Sequence, residues 1–261
     1  MLDFTLEELC IVACAEAWRG DGEILASPIG LIPTLGAWLA KATFSPDLLL
    51  TDGQANVIAS VGLSEGPVVE GWMPYRTVFD IVASGRRHVM MGVSQIDRFG
   101  NQNISCIGDW QRPSSQLIGS RGAPGNTINH VTSYWVPNHS RRVFVNSVDF
   151  VSGVGYDRAA QLGETCSTYS GVRRVVTNLA VFDFESDGSS EKVGSKQRAR
   201  EMRLRSIHPG VELAKIIEET GFSFAISPNC GVTRAPTADE LRLIRVELDP
   251  GSRRSTSAKA G

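Results

Sequence analysis

YRTVFDIVASGRRHVMMGVSQID, residues 75–97, decides how the rest of the chain is read. Its first half reads as a helix closed by Gly85, and RRHVMMGVSQID reads as a strand. An almost unbroken apolar strand behind a helix belongs in a sheet that is covered on both sides. The pattern repeats towards the N-terminus. Thr5 and Glu8 have capping-box spacing ahead of Leu6, Leu9, Cys10, Ala13 and Ala17, with Gly20 as the stop. EILASP is a short strand, IGLIPTLGAWLAKAT a helix rich in small residues, and PDLLLTDG another strand. The fold class expected is α/β: an open, mostly parallel sheet with helices on both faces.

Beyond residue 97 glycine and amides take over. QIDRFGNQNIS reads as strand, turn, strand, and GSRGAPGNTINH as a loop leading into a helix. RRVFVNSVDFVSG and RRVVTNLAVFDF are expected as core strands, and ESDGSSEKVGSKQ as a mobile hairpin tip. HPGVELAKIIEETGF carries an early Pro209 and a closing Gly221, the marks of a helix. Thr237 and Glu240 form a second capping box before ADELRLIRVEL. One domain over residues 1–248 is expected, with 249–261 a disordered tail.

The chain has 261 residues, 42% hydrophobic and 21% charged, enough for one sizeable domain. A net charge of -2 and a pI near 6.1 leave no basic field for nucleic acid or an anionic membrane. The longest uncharged run, Ile24 to Ala40, is broken by Pro28, Gly30, Pro33 and Gly36 and reads as strand, turn and buried helix, not a membrane span. Five scattered cysteines without a Cys-x-x-Cys pair, and no signal pattern at the N-terminus, point to the cytoplasm.

Several chemistries drop out on spacing. His88, His130, His139 and His208 lack metal-ligand spacing, so no metal is expected. There is no Gly-x-Ser-x-Gly elbow and no Walker loop. What remains is the loop Gly119 to Asn126, GSRGAPGN. Its glycines either free backbone N–H groups for an oxyanion or phosphate, or only make a tight turn. Arg121 within it either forks onto a carboxylate or phosphate, or is a solvated surface arginine.

The order of the segments TDGQA, EGWMPYRTVFDIVASGRRHVMMGVSQIDRFGNQN, GSRGAPGN, RRVFVNSVDFVSGVGY and IHPGVELAKIIEETGF resembles the β subunit of family I coenzyme A transferases, from about Leu6 to Leu248. Within that family LLTDGQA, EGWMP, GRRHVMMG, QIDRFGNQNIS, RGAPGNTINH, TSYW and NLAVFDF are most similar to the β subunits of CoA-dependent ring-opening hydrolases of bacterial steroid degradation. The resemblance implies the Rossmann-like CoA-transferase fold and a homologous α subunit in an α2β2 heterotetramer. It also implies a CoA-thioester substrate, with CoA as part of that substrate and no separate cofactor. The implied reaction is hydrolysis of a ring carbon–carbon bond next to a ketone.

In transferases of this family a β-subunit glutamate near the end of the second strand attacks the thioester. Here Thr51-Asp52-Gly53-Gln54 stands at that place, one methylene short, and Glu65 and Glu70 fall in an apparent loop. Asp52 is therefore read as a turn or substrate-contacting residue and not as the nucleophile. Gln95, Asn101, Gly122 and Asn126 are expected as neutral donors to the substrate, with Arg121 on a substrate carboxylate. No catalytic residue is assigned to this chain; the general base is expected from the partner subunit. A true CoA transferase, or a non-catalytic acyl-CoA sensor or scaffold, remain the alternatives.

Overall fold

The computed structural model describes residues 3–51, 55–60, 68–163, 169–185 and 200–257. The capping box at Thr5 starts α1 (Leu6–Ala15), with Thr5 Oγ1 accepting from Glu8 N and Glu8 Oε2 accepting from Thr5 N. β1 (Leu25–Pro28), α2 (Leu31–Thr43) and β2 (Leu49–Thr51) follow as expected. β3 (Asn56–Ser60), β4 (Val68–Trp72), α3 (Tyr75–Ser84) and β5 (Arg87–Met91) complete the first half. Next come a hairpin of β6 (Gln95–Ile96) and β7 (Gln102–Asn103), a second of β8 (Cys106–Ile107) and β9 (Ser115–Gln116), then α4 (Ala123–Asn129) and β10 (Val131–Val136). The C-terminal half holds α5 (Tyr156–Leu162), β11 (Val172–Thr177), β12 (Ala180–Asp183), β13 (Arg203–Ile207), α6 (Leu213–Glu218), β14 (Ala225–Val232), α7 (Ala238–Arg242) and α8 (Arg254–Ser257).

The main sheet runs β14-β13-β12-β11-β10-β5-β1-β2-β3-β4. Its centre, β11-β10-β5-β1-β2, is parallel throughout, and antiparallel pairings are confined to its two flanks. Side-chain alternation along the central strands divides the core in two. Met90, Val176 and Val181 face one way, onto α1, α2 and the C-terminal residues Ile244 and Leu248. Val89, Met91, Val175, Ala180 and Phe182 face the other way, with Ala123 of α4 and Ile216 of α6. Strands buried on both faces are what the apolar runs required, and the mostly parallel sheet with helices on both faces is present.

Two expectations need correction. RRVFVNSVDFVSG is not a core strand: the backbone of residues 141–153 pairs with strands only at isolated bridges, Phe144 to Ile96 and Gly153 to Gln102. Its apolar residues alternate like a strand, but the backbone is held at separate points, Ile96 N donating to Val143 O and Gly221 N to Phe144 O. The residues after Leu248 are not a free tail as far as Ser255. Asp249 and Arg254 are buried, and Arg254 pairs with Asp249 at 3.0 Å and with the buried Glu8 of α1 at 3.0 Å. A carboxylate buried on α1 needs cations, and this segment supplies one of them. All but the first residue of the expected hairpin tip, 185–197, lies outside the described residues.

Candidate active site

In an open α/β sheet, ligands sit beyond the carboxyl ends of the strands where the strand order reverses. Here the reversal falls between β1, which leads to β2 on one side, and β5 on the other. Three stretches meet at that end: the turn Ile29-Gly30 after β1, the GNQN hairpin after β5, and the glycine loop before α4. Asp52, immediately after β2, lies outside the described residues, as does Glu65.

The GNQN hairpin is a buried polar brace. Asp97 Oδ1 accepts from Phe99 N and Asn101 N, and Asp97 Oδ2 accepts from Asn101 Nδ2 at 2.9 Å. Asn101 Nδ2 also donates to Asp157 Oδ1 at 2.8 Å, and its Oδ1 accepts from Gly155 N. A Cβ at position 155 would stand 2.5 Å from Asn101 N and Phe99 O, so only glycine permits this approach. Gln95 Nε2 donates to Asp149 Oδ2, and its Oε1 accepts from Asn103 Nδ2 and Asp149 N. Burial pushes the Asp97 carboxyl above its usual range, against the opposing hydrogen bonds from Asn101 and Phe99.

Two expected substrate contacts therefore have other duties. Both Nδ2 hydrogens of Asn101 are committed to Asp97 and Asp157, and Asn101 is 1% exposed. Gln95 is likewise buried and holds the 149 segment. Their amides shape the loop instead of reaching into it. The brace extends to the glycine loop: Ser105 Oγ lies 2.9 Å from Ser120 Oγ, Leu117 N donates to Ser105 O, and Gly119 N to Ile104 O.

The glycine loop itself is exposed. Gly119 has φ +85° and Arg121 φ +48°, a left-handed conformation that costs a residue with a side chain. Arg121 and Gly122 both face solvent, with Gly122 capping α4. Asn126 is buried under the loop, and its Oδ1 accepts from Arg87 Nη1 at 3.2 Å. Arg87 was not singled out from the sequence; RRH ahead of a strand is ordinary surface chemistry. It is only partly exposed, donates through Nε to Ser27 Oγ at 3.1 Å, and burial lowers its pKa to about 10.

Two other clusters compete for attention. His88 Nδ1 donates to Asp21 Oδ2 at 2.7 Å, leaving Nε2 to accept from the Ser133 hydroxyl at 2.9 Å, the connectivity of a serine hydrolase triad. His88 and Ser133 are fully buried in the middle of the sheet and Asp21 also pairs with Arg173, so no substrate carbonyl reaches the hydroxyl. Burial holds His88 below its usual pKa, consistent with a neutral structural ring. A groove of about 960 Å³ opens near β13 and β14, but its arginines, Arg19, Arg174, Arg203, Arg205 and Arg234, are paired with Glu16, Asp183, Glu185 and Glu240. It is remote from the strand reversal. His130, His139 and His208 are buried and hydrogen-bonded, and no cluster of metal-ligand type occurs among the described residues.

No family model matches the chain. It is 49% identical to the cholesterol ring-cleaving hydrolase IpdB subunit of Rhodococcus jostii (strain RHA1) over 253 residues, 97% of this chain and 95% of the relative. The chain belongs to the family of IpdB hydrolase subunits. The crystal structure of Rhodococcus jostii RHA1 IpdAB matches this IpdB-family chain with a TM-score of 0.86, at 49% identity and over 97% and 98% of the two chains. A 3-oxoadipate CoA-transferase subunit of Pseudomonas knackmussii is 29% identical, with 94% of each chain covered. Glutaconate coenzyme A-transferase from Acidaminococcus fermentans shares the fold, with a TM-score of 0.76 at 24% identity and 97% coverage of each chain. The family resemblance read from the motif order and the CoA-transferase fold both hold. Among the described residues no helix of this IpdB-family chain is long and apolar enough to cross a membrane.

Proposed function

We propose that this chain is the β subunit of a heteromeric hydrolase that opens remaining rings of a steroid-degradation intermediate carried as a CoA thioester. The cleavage is hydrolytic, at a carbon–carbon bond beside a ketone. Its partner is an α subunit of the same fold in an α2β2 assembly, in the cytoplasm, with CoA as part of the substrate and no added cofactor. The observation that carries this reading is the 49% identity, nearly end to end, with a subunit named as a cholesterol ring-cleaving hydrolase. The Thr51-Asp52-Gly53-Gln54 sequence supports it, because a thioester-attacking glutamate is missing there.

The described acids near the crevice are engaged. Asp97 accepts three hydrogen bonds, and Asp149 accepts from Gln95 and Gly108 N. On this reading the general base comes from the α subunit, as the resemblance implies. This chain contributes shape: a braced loop with Arg121 and Gly122 at its rim, on which an anionic or carbonyl oxygen of the substrate is received. Hydroxylamine or borohydride trapping of the working complex tests the reading. Failure to trap an acyl or CoA adduct on this chain, with Asp52→Asn keeping activity within about tenfold, supports hydrolysis. A covalent adduct on Asp52 favours the transferase instead, and a loss of about four orders of magnitude in Asp52→Asn without an adduct puts the chemistry of hydrolysis on this subunit.

A further inference from the structure

Arg87 is a cation folded into the protein with only neutral partners. Its Nε and one Nη1 hydrogen go to Ser27 Oγ and Asn126 Oδ1, so three of the five guanidinium N–H groups have no acceptor among the described residues. Among the described residues no carboxylate pairs with it, whereas Arg203, Arg234, Arg245 and Arg254 all have one. The two neighbours fix its position between β1 and α4, directly under the helix that carries the glycine loop. His130 cannot balance the charge. Its Nε2 donates to Val82 O and its buried Nδ1 has no partner among the described residues, and burial together with Arg87 holds its pKa near 4.

Arg87 is half-buried, and a partly desolvated guanidinium whose open N–H groups reach solvent is a ready partner for an incoming carboxylate. We infer that Arg87 is a carboxylate receptor of the assembled enzyme, its open N–H groups forking onto a carboxylate that this chain does not itself provide. The carboxylate has two sources. One is the substrate side: hydrolysis of a carbon–carbon bond beside a ketone breaks the C–C bond, adds OH from water to the carbonyl carbon and a proton to the departing carbon, and so creates a new carboxylate in the product. The other is an acid of the α subunit. The first source rests on the proposed hydrolase reading; the second does not.

The test uses the co-expressed two-subunit complex and two commercial thioesters, glutaryl-CoA, which has a free carboxylate, and pentanoyl-CoA, which lacks it. Calorimetry measures both affinities in the wild type, in Arg87→Gln and in Arg87→Lys, and light scattering measures assembly. If the substrate supplies the carboxylate, the wild type prefers glutaryl-CoA by about fivefold or more. Arg87→Gln then erases the preference with pentanoyl-CoA binding and assembly unchanged, and Arg87→Lys retains part of it. If the α subunit supplies it, Arg87→Gln weakens assembly by about tenfold while any preference between the thioesters remains. Unchanged preference together with unchanged assembly overturns the inference. A wild-type complex that binds neither thioester refutes the CoA reading, while the assembly arm still decides Arg87. Thermal denaturation checks that Arg87→Gln, which gives up the hydrogen bonds to Ser27 and Asn126, is still folded, and Arg87→Lys, which keeps the charge, controls for any loss of stability.

Discussion

Replacing Asn101 by Asp changes one NH2 into an oxygen and little else in shape, yet it should be among the most damaging substitutions near the crevice. The Nδ2 atom lies 2.9 Å from Asp97 Oδ2 and 2.8 Å from Asp157 Oδ1, so a carboxylate there meets two others. At an effective dielectric of about 20, each such pair repels by about 6 kcal/mol, enough to force protonation instead. Holding one extra carboxyl protonated costs about 1.4 kcal/mol per pH unit above its ordinary pKa, hence about 5 kcal/mol at pH 8 and about 1–2 kcal/mol at pH 5. The sign follows from linkage. Burial already raises Asp97, and the added acid raises the cluster further, so the folded state binds more protons than the unfolded one. The penalty therefore grows as pH rises from near 4 through the raised folded pKa, and it disappears below. Thermal unfolding of the assembled complex should show Tm lowered by about 10–20 °C at pH 8 and by only a few degrees at pH 5. A loss of the same size at both pH values, or none at pH 8, would refute the idea that Asn101 separates two carboxylates in a buried brace.

Three further outcomes follow from the geometry. Ser133→Ala should leave kcat within about threefold, because the Ser133–His88–Asp21 chain is sealed in the sheet; a loss of a thousandfold would make it catalytic. Ending the chain at Leu248 removes Arg254 from the buried Glu8, whose carboxyl is pushed up by burial but held below its ordinary 4.5 by Arg245, Thr5 N and Arg254. Denaturant titration should show a loss of about 2–4 kcal/mol at pH 7, shrinking as pH falls below 4.5, since a depressed carboxyl contributes only while ionised; an intact stability would return the segment to a tail. Trp72 and Phe79 are 69% and 60% exposed beside Val68, Val69 and Tyr75, so Trp72→Ser with Phe79→Ser should weaken association with the α partner by about tenfold without altering helix content. Unchanged assembly by light scattering would place the partner on another face.

The layering was legible because buried strands write themselves as apolar runs, as HVMM and VVTNLAVF do. RRVFVNSVDF has the same alternation but lies outside the sheet: period two records which side chains are buried, not where backbone hydrogen bonds go. Of the tryptophans, Trp38 and Trp135 pack against the core, whereas Trp72 and Trp110 stand out in solvent. Composition cannot separate these cases. The segment after GNQN hydrogen-bonds to the glycine loop, but amides that read as substrate donors hydrogen-bond acids up to 56 positions away. Arg87 was invisible for the complementary reason. A missing counter-ion is a property of three-dimensional surroundings, and no local motif records it.

Hydrolysis and CoA transfer differ most directly in where an oxygen from water goes. The complex of this chain with its α subunit, given a ring-bearing steroid-derived CoA thioester in 18O-labelled water, should yield a product one water heavier than the substrate. CoA should remain attached, and one 18O atom should sit in a newly formed carboxylate. A product of unchanged ring structure, with CoA moved to an acceptor acid and no 18O in a new carboxylate, would contradict the hydrolase.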